Sequence, residues 1–147
     1  MAGSISRPFS FVLIVSSFFA IPGEASAVER PHFSRGRAQL NGTDFVGSGL
    51  ATHLGVYSET GTVTFTPTSD PAVLHLEATA TYTAASGDEL YATFTGQFNL
   101  LTGAITATVT YEGGTGLFEE ATGTANLRAQ ALPDGSITVT VKGTIDY

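Results

Sequence analysis

From residue 38 onward, apolar and polar side chains alternate with a period of two, the signature of strands with one face buried and one in water. Leu74, Leu76, Ala78, Ala80 and Tyr82 interleave with His75, Glu77, Thr79 and Thr81. The pattern repeats in Leu90, Ala92, Phe94, Gly96 and Phe98, and again in Ile105, Ala107, Val109 and Tyr111. Two more runs follow, from Ala121 to Ala129 and from Ile137 to Ile145. Turn-forming Ser86-Gly87-Asp88, Thr102-Gly103 and Pro133-Asp134-Gly135 separate the runs and predict hairpins. Upstream, Val63 and Phe65 mark a strand over 62–66 bounded by Gly61 and Pro67, and weaker alternation predicts strands over 37–41 and 45–57.

About eight antiparallel strands in meander order result. No amphipathic helix is available to cover their apolar face, so the sheet must cover itself. Short connections favour an all-β, antiparallel up-and-down β-barrel over a two-sheet sandwich, because closure removes exposed edges. Glycines inside strands, such as Gly96, Gly123 and Gly143, permit the sharp coiling of a narrow barrel.

The N-terminus reads differently. Arg7 precedes a run from Phe9 to Ile21 that is apolar apart from three serines, followed by Pro22-Gly23 and the small-x-small pattern Ala25-Ser26-Ala27. This predicts a signal peptide over 1–27, a mature start at Val28 and a secreted, periplasmic or cell-envelope location, with no membrane span after cleavage. Residues 28–37, carrying Arg30, Arg35 and Arg37, are expected to form a flexible N-terminal arm ahead of a single barrel domain at 38–147.

Charge and composition narrow the partners. The chain carries 6 basic and 13 acidic residues, and beyond residue 38 only Arg128 and Lys142 are basic, so phosphate backbones are repelled and nucleic acid is disfavoured. With no cysteine, disulfide frameworks and thiolate metal sites are excluded. The three histidines, His32, His53 and His75, lack short metal-ligand spacing, and neither a metal nor another cofactor is expected. Asn41-Gly42-Thr43 is a glycosylation sequon whose use depends on the host.

One segment breaks the alternation: Gly113-Gly114-Thr115-Gly116-Leu117-Phe118, continuing through Glu119-Glu120-Ala121-Thr122 to Gly123. It lacks the third glycine and the lysine of phosphate loops, and its acidic pair opposes phosphate. It resembles the glycine-rich signature of the allene oxide cyclase and dirigent barrels, calycin-like folds of eight antiparallel strands, and the likeness extends over about the last 35 to 40 residues. The resemblance implies the barrel, with Gly113, Gly114, Gly116, Phe118 and Gly123 as a structural loop. Ala51-Thr52-His53-Leu54-Gly55 is similar to a segment of secreted bacterial relatives. The acidic, asparagine and arginine residues that work in those families find no matching positions here.

Chemistry-bearing constellations are sparse. Ser48 lies between glycines without a nucleophile elbow, and Asp88-Glu89 and Glu119-Glu120 are adjacent pairs at turns. The expected inner face holds no carboxylate, which argues against acid-base catalysis. His53 shares parity with Gly47, Gly49, Ala51 and Gly55; it is either a catalytic imidazole or hydrogen-bond anchor at the barrel mouth or, the favoured reading, a histidine bonded to a neighbouring carbonyl or exposed at the strand end. If the small inward side chains from Ala121 to Ala131 leave space, Tyr82, Phe94, Phe98 and Tyr111 are expected to line a pocket for a small hydrophobic molecule. The expected function is non-catalytic binding of such a ligand or an envelope interaction, with an allene oxide cyclase-like isomerase or cyclase as the alternative. A threonine-rich exterior favours a monomer over a homotrimer.

Overall fold

The computed structural model describes residues 28–147, and the expected signal peptide lies outside the described residues. Eight strands form a closed antiparallel barrel in chain order: β1 (Arg30–Asn41), β2 (Asp44–Ala51), β3 (Gly55–Pro67), β4 (Val73–Thr83), β5 (Glu89–Asn99), β6 (Ala104–Gly114), β7 (Thr122–Ala131) and β8 (Ser136–Asp146). Every strand pairs with its sequence neighbour, and β1 pairs with β8, from Arg30↔Ile145 to Gln39↔Ser136. Among the described residues closure leaves no strand edge unpaired, which is how a one-sided sheet without covering helices buries its apolar face. Among the described residues the one helical element is the short 3-10 turn Gly116–Phe118.

The alternation resolves as expected over β4 to β8. Leu76, Ala80, Tyr82, Leu90, Phe94, Val109, Tyr111, Val141 and Ile145 point inward and are buried, while threonines take the outer face. Two expectations near the N-terminus are corrected. The arm expected over 28–37 is largely the first half of β1, because Arg30 to Arg37 have β8 on one side and, from Ser34, β2 on the other. His32 and Ser34 are buried, while the arginines Arg35 and Arg37 point outward, so basic character there marks only the wet face of a strand.

The segment 45–57 is likewise two strands. The chain reverses at Thr52–Leu54 with His53 at φ 72° and Gly55 at φ 69°. Histidine is among the side chains that enter the left-handed region more readily, so this turn carries no Asn-Gly signal. Gly61, expected to bound a strand, is instead inside β3, opposite Ala80; a Cβ there would collide with the Phe45 ring and with the Thr79 carbonyl. The glycine makes room for an aromatic ring and does not break the strand.

The two barrel ends differ. At the end carrying the β2–β3, β4–β5 and β6–β7 connections, Leu54, Ala84, Leu90, Phe118 and Ala121 are buried and fill the interior. At the opposite end, Leu40, Phe45 and Phe65 are only partly covered, and the interior opens.

Candidate functional site

The open half of the barrel holds a cavity of about 90 Å³. Phe45, Val63, Phe65, Phe94 and Ile137 contribute to its apolar wall, and Ala78, Ala107 and Ala129 supply the space. Such a volume takes several water molecules or a small apolar group of a ligand. Its polar lining comes from two side chains, Glu59 and Tyr82.

Glu59 corrects the expectation of a carboxylate-free interior. It is 8 % exposed, on the same face of β3 as Tyr57, Val63 and Phe65. The register places it between Gly47 of β2 and Tyr82 of β4. Glycine at 47 is required: a Cβ there would lie 2.6 Å from Glu59 Oε1 and 2.9 Å from the Arg37 carbonyl oxygen. Tyr57 uses the neighbouring gap, since Cβ atoms at Gly36 and Gly49 would lie 2.5 and 2.8 Å from its hydroxyl. The glycines of β1 and β2 are thus the floor on which a carboxyl and a phenol rest. Extending the odd parity of Val63 and Phe65 back across Gly61 to Glu59 and Tyr57 was the signal in the sequence for this pair.

Burial controls the protonation of the group. Loss of hydration pushes the Glu59 carboxyl up to about 7, and the hydrogen bond from the Tyr82 hydroxyl offsets only part of that rise. Burial also raises Tyr57 to about 12, with the nearby Glu59 charge adding to it, and holds Tyr82 well above the usual phenol range. Near neutral pH a sizeable fraction of Glu59 is therefore an uncharged acid facing an apolar space.

The four side chains expected to line one pocket are divided. Tyr82 and Phe94 face the cavity. Phe98 stands at its rim, its ring centroid 5.8 Å from that of Phe65. Tyr111 belongs to the filled end, edge-on to His32 at 5.3 Å. His53 is also at that end, in the β2–β3 turn. Its Nε2–H donates to the Pro31 carbonyl at 2.9 Å, which leaves Nδ1 to accept from the Tyr147 hydroxyl at 2.8 Å. Both ring nitrogens are committed to structure, away from the cavity.

The glycine-rich segment closes the filled end. Gly113, Gly116 and Gly123 have φ of 83°, 55° and 143°, and Gly114 approaches the Glu89 carbonyl too closely for a side chain. Asp88 accepts from the Leu117 amide at 3.2 Å, and the Thr115 amide donates to the Glu89 carbonyl at 2.9 Å. These contacts seat Phe118, fully buried, with its ring 5.2 Å from that of Tyr147. The Asp88 carboxylate and the Glu89 backbone carbonyl thus anchor this loop.

No protein-family model and no curated protein matches the chain. It is similar to a solved structure. That structure is described as a nonspecific heme-binding cyclase that catalyses [4 + 2] cycloaddition during neoabyssomicin biosynthesis. The likeness has a TM-score of 0.44 at 13% identity and covers 83% of this chain and 68% of that one. The chemistry of the site is accordingly read from its own residues.

Proposed function

We propose that the barrel binds a small, mainly apolar molecule that enters at the open end and rests on Glu59 and Tyr82, and that the mature domain does so after export. The observation that carries this reading is the apolar cavity of about 90 Å³, left open at one end while the other is plugged by Phe118. Interiors ordinarily pack without voids, so a retained apolar space opening to solvent is the usual form of a ligand site. The relationship to allene oxide cyclase and dirigent barrels is proposed to be one of barrel and closing loop.

Titration with the neutral fluorophore N-phenyl-1-naphthylamine tests this. Saturable enhancement of its emission is expected, abolished by Ala129→Phe, which fills the cavity, and altered by Phe94→Ala, which widens it. An unsaturable or absent response removes the binding reading.

One observation favours a second reading, an isomerase or cyclase: Glu59, held substantially protonated near neutral pH beside Tyr82, is suited to activating an oxygen of an unsaturated substrate as general acid. Turnover of an unsaturated epoxide that is lost in Glu59→Gln but kept in His53→Gln supports this reading. Equal rates with and without protein discard it.

A further inference from the structure

Resting on the binding reading above, we infer that Glu59 is a specificity anchor: it donates its carboxyl proton to a carbonyl oxygen of the ligand, so the barrel selects uncharged apolar ketones or aldehydes over hydrocarbons of the same shape.

The geometry supplies the reasons. Glu59 and Tyr82 are direct cross-strand partners, and Gly47 on the other side adds no side chain. A carboxyl has two oxygens, and the Tyr82 hydroxyl supplies one proton to it. Glu59 itself lines the cavity, where the side chains other than Tyr82 are apolar and offer no competing donor. Among the described residues no lysine, arginine or histidine faces it from β2, β4 or across the cavity; Tyr82 on β4 and Tyr57 on β3 are the titratable neighbours. With no cation to pair with, a carboxylate would be poorly solvated there, which favours the acid form. A neutral acid covered by an apolar ligand must donate to something. A ligand carbonyl satisfies it, whereas a methylene leaves the proton unpaired and an anionic ligand is repelled once Glu59 ionises.

A pair of ligands matched in shape separates this inference from the binding reading. Acetophenone carries the carbonyl, and ethylbenzene replaces it with a methylene. Both are expected to bind at about pH 5.5, and the affinity for acetophenone is expected to fall about tenfold more than that for ethylbenzene by about pH 8.5, the size of one lost hydrogen bond. Infrared difference spectra report the bond itself. The carbonyl stretch of bound acetophenone should lie below its value in dry hydrocarbon at the lower pH, and this downshift should vanish at the higher pH and in Glu59→Leu.

Glu59→Gln retains an N–H donor of similar size, so it should fold and keep a downshift that no longer depends on pH. Tyr82→Phe removes the hydrogen bond that lowers Glu59, so the downshift should persist to higher pH than in the wild type. Ethylbenzene and acetophenone bound alike, with an unshifted carbonyl, would overturn the anchor and leave the pocket standing. A downshift lost in Tyr82→Phe but kept in Glu59→Leu would overturn it in favour of the phenol. Failure of both ligands to bind would overturn the pocket and the anchor together.

Discussion

Glu59 and His32 are both buried in the barrel interior, and they respond to pH in opposite senses. Burial lowers His32 from 6.5 to about 4, with the adjacent His53 adding to the effect. Between those values the unfolded chain takes up a proton that the folded chain refuses, so this group makes the protein less stable as pH falls. Glu59 is raised from 4.5 to about 7, so the folded chain keeps a proton that the unfolded chain releases, and stability falls as pH rises through that window. Each is worth roughly 3 kcal/mol across its window at 1.36 kcal/mol per unit, and where the windows overlap they largely cancel. Urea midpoints of the wild type are therefore expected to vary little between about pH 4.5 and 6.5. Glu59→Gln should gain stability with rising pH over that interval, and His32→Gln should lose it. Parallel profiles for all three proteins would show that neither group is perturbed. The sequence placed Tyr82 and Phe94 on the inner face correctly, because their strands alternate without interruption. It concealed Glu59, because Gly61 looks like a terminator until the Phe45 ring that occupies its missing side chain is seen.

At the scale of elements, the barrel is a set of uniform strands closed at one end by a short irregular loop. Phe118 is fully buried although it lies in a connection, held by backbone contacts to β5 and by the Tyr147 ring. Phe118→Ala should cost about 3 to 5 kcal/mol, the range for removing a buried aromatic ring. Gly116→Val should cost about 1 to 3 kcal/mol through its positive φ and the Asp88 carboxylate beneath it. Denaturant midpoints check both, and unchanged values would make the loop an ordinary connector. The glycine spacing makes this element legible in the sequence, since only a conformational or steric demand explains so many glycines in eleven residues. The turn at His53 was not readable in the same way, because a histidine in the left-handed region leaves no distinctive residue behind. The division of the interior into a filled and an open half was hidden too: it depends on which aromatic rings lie at the same height in the barrel, and that follows from register, which alternation alone does not give.

Over the whole molecule, the pairing of β1 with β8 joins the two most distant described strands. Loop closure over such a separation is entropically expensive and is recovered only when the final ladder forms. Refolding from urea is expected to take milliseconds to seconds, and deletion of residues 136–147 should abolish cooperative unfolding by leaving β1 and β7 with bare edges. A truncated chain that still unfolds in one sharp transition would show that seven strands suffice. The same seam sets the order of events during synthesis. Seven strands can be made and even paired, yet the first-made must remain without its second neighbour until the eighth leaves the ribosome. The nascent chain is therefore open and edge-exposed until its eighth strand is made, the state in which it most needs shielding from other copies of itself.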